Sequence, residues 1–269
     1  MNRSLIIILC LFFTVKTFAQ GDSVFHAAAI IKGDISDFNV DNLGNIFIIN
    51  KDGQLKKLKP NGDSLAVFND VKRYGKLHSI DASNPLKVLL FYKDFGTTVI
   101  LDRFLSRRAI LDFRRAGLPQ IRAIGQAYDN NIWVFDDLDI KLKKISDDGR
   151  IIDQSTDFRL IFDAAPSPDY IIDQDKMVYL YDPLKGVYIF DYYGGFKNRI
   201  AITGLKDFNV INGVLFGRDD KSLYRYEIAS LRTRELPIPE FMRNAQRIVI
   251  GTGYVYVLKD GAIMVYSYN

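Results

Sequence analysis

One short apolar triplet returns along the chain at nearly even spacing, and that period decides what the chain can fold into. Ile46-Phe47-Ile48, Val88-Leu89-Leu90, Ile132-Trp133-Val134, Val178-Tyr179-Leu180, Val214-Leu215-Phe216 and Val255-Tyr256-Val257 begin 42, 44, 46, 36 and 41 residues apart. A period of roughly 40–50 residues is the size of one four-stranded propeller blade. The best-defined unit, residues 38–68, holds four apolar segments separated by turns at Asn42-Leu43-Gly44, Lys51-Asp52-Gly53 and Pro60-Asn61-Gly62. Gly and Asn accept the positive φ that tight hairpins need. A turn and a third apolar segment follow most of the other triplets, as at Asp94-Phe95-Gly96 before Val99 and Lys259-Asp260-Gly261 before Ile263.

Six units account for nearly the whole chain, and its two ends complement each other. The sixth unit supplies segments at 246–250, 254–258 and 262–268 and then lacks a fourth strand, whereas a surplus apolar stretch, Val24 to Ile31, precedes the first unit. A closed ring lets that stretch complete the last blade and leaves no long edge unpaired there. The expected fold is therefore all-β: a six-bladed β-propeller of four-stranded antiparallel blades, closed by the N-terminal strand. A two-layer sandwich fits the even period less well, and a seven-bladed ring would need about 290 residues after the leader. Residues 102–117 admit two readings. Phe104, Leu105, Ala109, Ile110, Leu111 and Phe113 could line a helix ending at Gly117-Leu118-Pro119, or the segment forms the outer half of blade 2 and its exit loop.

Composition agrees with a strand-and-turn protein. Of the 32 carboxylate side chains 29 are Asp, the only Glu being Glu227, Glu235 and Glu240, and Asp favours turns where Glu favours helices. With 269 residues and 48% apolar side chains the chain can bury a real core, and a formal charge of +4 does not demand a nucleic acid or membrane surface.

Residues 1–19 read as an export signal, leaving 20–269 as a single domain. Arg3 precedes an apolar run from Ser4 to Val15, and Thr17-Phe18-Ala19 places small residues before a cut at Gln20. The run is too short to span a bilayer, which takes about 20 residues. Cleavage removes Cys10, the one cysteine, so the exported chain is expected to have no disulfide and no thiol chemistry.

Segments such as Val40–Phe47 and Val187–Phe196 resemble blades of exported six-bladed propellers of the NHL and TolB-like type. The resemblance implies the fold and an exported Gram-negative envelope setting; members of that group include binding modules, lactonases and scaffolds, so it does not choose a function. The chain departs from enzymatic members in lacking their His-rich or acidic metal centres.

Candidate site residues follow from aligning the first strands. Phe38, His78, Arg122, Tyr170, Phe208 and Arg247 each stand two residues before an apolar position, Val40, Ile80, Ile124, Ile172, Val210 and Val249, and are expected around one channel mouth. Aromatic and Arg side chains are those on which interfaces concentrate binding energy. Arg103, Arg107, Arg108, Arg114 and Arg115 form a basic rim that reads as either a solvated edge or a contact for an acidic partner, with no nucleic-acid motif beside it. With His26 and His78 the only histidines, His-rich metal sites are excluded, and the alternation of a strand keeps His78 from Ser79. No cofactor is expected; calcium on Asp41, Asp81 and Asp173 stays open, with turn-capping the competing reading. The Asp136, Asp137 and Asp139 cluster reads as a solvated turn, and Leu236–Met242 as a stiff loop that docks a partner or bridges blades 5 and 6.

The sequence therefore points to an exported, non-catalytic protein-binding scaffold of the periplasm or outer membrane, with an envelope protein or complex as partner. The ending Phe18-Ala19-Gln20 is similar to leaders of Gram-negative bacteria that run type IX secretion, which suggests an accessory subunit of such a complex. The alternatives are a calcium-dependent lactonase-like hydrolase and a small-ligand or glycan sensor.

Overall fold

The computed structural model describes residues 25–268; the predicted export signal, its cut before Gln20, and Cys10 lie outside them. Strand β1 (Phe25–Ile31) leads into five consecutive four-stranded blades. Blade 1 is β2 (Ile35–Val40), β3 (Ile46–Asn50), β4 (Leu55–Leu58) and β5 (Ser64–Phe68). Blade 2 is β6 (Ser79–Asn84), β7 (Lys87–Tyr92), β8 (Thr97–Asp102) and β9 (Arg107–Asp112). Blade 3 is β10 (Ile121–Gln126), β11 (Ile132–Asp136), β12 (Lys141–Ile145) and β13 (Ile151–Gln154). Blade 4 is β14 (Tyr170–Gln174), β15 (Met177–Asp182), β16 (Gly186–Asp191) and β17 (Phe196–Ile200). Blade 5 is β18 (Lys206–Ile211), β19 (Val214–Arg218), β20 (Ser222–Glu227) and β21 (Arg232–Pro237).

Blade 6 takes β22 (Arg247–Gly251), β23 (Tyr254–Lys259) and β24 (Ala262–Tyr268), and its fourth strand is β1. β1 runs antiparallel to β24, with Phe25 opposite Tyr268 and Ile31 opposite Ile263, and bulges between Ala27 and Ala29. The inner strands β2, β6, β10, β14, β18 and β22 touch one another in cyclic order, β22 returning to β2. The six-bladed β-propeller is thus closed as the sequence predicts.

Burial explains the repeating triplet. A second strand is covered on both faces by neighbouring blades, so β7 and β11 are buried at every position, whereas the outermost β21 is exposed along its length. Core side chains form wedges between consecutive blades: Leu89, Phe91 and Ile100 of blade 2 pack on Ile121, Ile132 and Val134 of blade 3. The wedge that seals the ring joins Ile35, Phe38 and Ile46 to Tyr256, Leu258 and Ile263. Each such side chain contributes about 2 kcal/mol by leaving water.

The Asp excess has a structural cause. Asp41, Asp102, Asp136, Asp182, Asp191 and Asp219 each stand at the start of a turn and accept the N–H two residues on, from Leu43, Phe104, Leu138, Leu184, Tyr193 and Lys221. A carboxylate one methylene longer does not hold that short loop.

Over 102–117 the strand prevails: the Asp102 turn leads into β9, which pairs with β8, and Leu111, Phe113 and Leu118 enter the wedge between blades 2 and 3. The Asp136 cluster is not a solvated turn. Asp136 is buried and accepts the ammonium of buried Lys143 at 2.7 Å, with Asp139 on the same nitrogen. Lys143 lies on β12 next to β11, so the hairpin itself brings the cation to the carboxylate.

Candidate binding face at the ring mouth

All six inner strands run in the same direction, so their N-terminal ends gather at one mouth of the ring. Four of the six aligned residues present polar or aromatic groups there. Arg247 donates to both oxygens of Asp37, at 2.9 and 3.1 Å, tying blade 6 to blade 1. Arg122 lies 3.2 Å from Asp169 of blade 4 and 3.6 Å from Asp137 of its own blade. Tyr170, partly exposed, stands with its ring 6.4 Å from Phe208. Burial pushes its phenol up; Arg247 pulls it down, and Asp207, Asp169 and Asp37 push it up. His78 is exposed and meets Phe91 edge-on at 5.6 Å. Partial burial, then the Lys93 charge, lowers its pKa.

Phe38 and Phe208 are not mouth residues. They are 0% and 5% exposed, Phe38 in the ring-sealing wedge and Phe208 stacked on Tyr181 at 4.3 Å. The cause is a β-bulge in each strand, between Ile35 and Asp37 in β2 and between Lys206 and Asn209 in β18. One extra residue re-aims the side chains that follow. Asp37 and Asp207 take the mouth positions instead, Asp207 accepting from Arg218 Nε at 2.7 Å and from the Ile248 N–H of blade 6 at 3.0 Å. The signal was present in the sequence as the same tetrapeptide, Asp-Phe-Asn-Val, at 37–40 and 207–210. The Asn of each donates to the next blade's inner strand, Asn39 to the Ile80 carbonyl at 2.6 Å and Asn209 to the Ile250 carbonyl at 3.1 Å. Beside the mouth, between blades 5 and 6, lies a cavity of about 460 Å³ lined by Lys206, Arg218, Asp220, Arg243 and Gln246.

The three Asp considered for calcium lie on different inner strands or their ends, and each carboxylate is occupied by N–H donors. Asp41 accepts from Leu43, from the Asn45 backbone and from the Asn45 side chain; Asp81 from Ser83 and, across the blade gap, Gln126. Asp173 accepts from the Tyr128 backbone at 3.1 Å and from Trp133 Nε1 at 2.9 Å. Among the described residues no three His, Cys, Asp or Glu side chains gather in a metal-holding group.

The basic rim maps to the outer edge of blade 2: Arg103 in the β8–β9 turn, Arg107 and Arg108 on β9, Arg114 and Arg115 just beyond it, all exposed. Leu236–Met242 bridges blades, with Ile238 and Met242 buried against Ile248 and Val257 and Phe241 packed on Tyr266. Sequence reasoning passed over the connection at 155–169, the longest between blades. It carries Leu160, 77% exposed, beside a cavity of about 300 Å³ lined by Ile161, Phe162, Lys185 and Arg199.

A six-bladed ring with a charged and aromatic mouth is the class of protein these observations define. Among solved structures the chain is similar to a virginiamycin B lyase from Staphylococcus aureus, with a TM-score of 0.60 and 13% identity over 91% of this chain and 89% of that one. It is similar to a streptogramin B lyase, at 0.58 and 13% over 86% and 78%. The Pan2 WD40 domain of Neurospora crassa gives 0.60 and 11% over 91% and 95%. At such identities the likeness is one of fold. No protein-family model matches the sequence, and no curated protein matches it. Among the described residues no helix is long and apolar enough to cross a membrane.

Proposed function

We propose that the protein is an exported, non-catalytic binding module that holds an envelope protein or protein complex against the mouth bearing His78, Arg122, Tyr170 and Arg247. The mouth itself carries this reading. Three kinds of side chain from four blades stand there, and its two arginines are held laterally, Arg122 by Asp169 and Arg247 by Asp37 of neighbouring blades. Side chains fixed before contact lose little freedom on binding, and Arg and Tyr are favoured anchors. Mixed charge favours a polar protein surface over a uniformly charged polymer. Export, to the periplasm or outer membrane, rests on the leader ending Phe18-Ala19-Gln20. The same leader supports an accessory role in a type IX-like secretion or outer-membrane complex.

Affinity purification of tagged protein from the native envelope, followed by mass spectrometry, tests this. The partner set recovered with the wild type is expected to be lost from the Arg122→Ala/Arg247→Ala double variant while its melting temperature stays within a few degrees. Identical recovery by a folded double variant would reject the mouth as the binding face.

A further inference from the structure

The outer edge of blade 2 is a second surface, independent of the mouth. β9 pairs with β8 alone, so its far side presents free backbone donors and acceptors. Residues 103–115 hold five arginines against one carboxylate, Asp112. Among the described residues Arg103, Arg108 and Arg114 have no carboxylate within 4.0 Å, whereas the mouth arginines are all paired. The arginines run from the turn below β9 to the loop above it, so the cationic strip follows the strand for about 20 Å at roughly 3.3 Å per residue. Apolar anchors stand within it: Phe104, 61% exposed under the Arg103 guanidinium at 4.6 Å, and Ile110, 47% exposed on β9 just past the bulge at Arg108.

We infer that β9 accepts an acidic, extended segment of a partner protein as a fifth strand of blade 2. An open edge with one sign of charge is a selective template. It repels a second copy of itself and other basic strands, and attracts a strand whose outward residues are Asp or Glu. The free backbone groups favour a peptide over an anionic polysaccharide, which lacks the matching ladder. Arginine forks beside the edge then pair the carboxylates.

The test uses a fluorescein-labelled peptide of alternating Glu and Val, about 10 residues long, read by anisotropy on the full exported chain. Binding is expected to weaken with added salt and to fall about tenfold or more in an Arg103→Glu/Arg108→Glu/Arg114→Glu variant, with the Arg122→Ala/Arg247→Ala variant binding as the wild type does. Replacing two Val by Pro, which removes ladder donors, is expected to abolish binding, and hydrogen exchange at β9 is expected to slow when the original peptide is bound. The inference is overturned if the peptide does not bind, if the Pro-containing peptide or dextran sulfate binds as well as the original, or if the mouth variant loses binding and the β9 variant keeps it. Unchanged thermal melts confirm that the variants are folded.

Discussion

Arg247 and Asp37 stand 210 residues apart in the sequence and 2.9 Å apart in the ring. The pair fastens the last blade to the first at the mouth, while β1 and β24 pair within the last blade. It is only partly buried, so its energy is modest, but it holds two potential contact groups in fixed positions.

A double-mutant cycle on Asp37→Ala and Arg247→Ala is expected to show about 0.5–1 kcal/mol of coupling, the range for partly exposed pairs. Urea unfolding of the four proteins measures it. Coupling indistinguishable from zero would mean that the pair does not fasten the seam.

The buried pair in blade 3 behaves differently. Burial alone would lower the Lys143 ammonium, but hydrogen bonds to Asp136 and Asp139 outweigh it and raise its pKa. For the lysine, a raised pKa gives a stabilisation that is complete below the ordinary value of 10.5 and lost as pH climbs through the folded value; Asp139, lowered by its hydrogen bond to Lys143, gives a second contribution that is lost as pH falls through its own folded value. Lys143→Ala is expected to cost about 3–5 kcal/mol at pH 7, because it strands the Asp136 charge. Lys143→Met with Asp136→Asn is expected to recover much of that loss, and chemical denaturation compares the two.

Asp173 carries the opposite sign. Burial raises its pKa, only partly offset by the donors Trp133 and Tyr128. A carboxyl that holds its proton more tightly when folded costs stability above the unfolded value of 3.8, and the cost disappears as pH falls below it. Asp173→Asn keeps an acceptor for both N–H groups and is expected to melt above the wild type at pH 7, the gap closing near pH 4. Asp173→Ala leaves two donors without their acceptor and is expected to cost about 1–3 kcal/mol. A wild type more stable than the Asn variant at pH 7 would contradict the assignment.

Gly125 lets the inner strands of blades 3 and 4 approach. A Cβ there would lie 2.4 Å from the Ile171 carbonyl oxygen, a backbone atom that cannot swing away. Gly125→Ala is expected to cost about 3 kcal/mol. Gly62→Ala, in an open turn at φ +91° with nothing within 4 Å, is expected to cost only the 1–2 kcal/mol or so of a left-handed residue. Equal melting temperatures for the two would remove the close approach as an explanation.

The ring was legible because its strongest pattern is energetic. Triplets such as Ile132-Trp133-Val134 are buried on both faces, so their spacing directly reports blade size. That His78, Arg122, Tyr170 and Arg247 stand at or beside the N-terminal ends of their strands was also legible, although β10 bulges at Arg122 too. The burial of Phe38 and Phe208 was not, because a bulge adds a residue without altering composition, and alternation counted through it points the side chain the wrong way. Asp136 and Lys143 escaped for a related reason: each reads as surface alone, and burial becomes affordable only when hairpin pairing joins them. The exposed Leu160 connection left no periodic trace at all.

Hydrogen exchange resolved by mass spectrometry is the most direct test of the arrangement, because a common mouth exists only if the ring closes. Peptides covering β1 (25–31) and β24 (262–268) are expected to exchange slowly and to lose protection together as denaturant rises, and Ala29→Pro in β1 is expected to release both. Immediate exchange of β1 while β22 and β23 remain protected would show an open ring and separate Arg247 from Asp37.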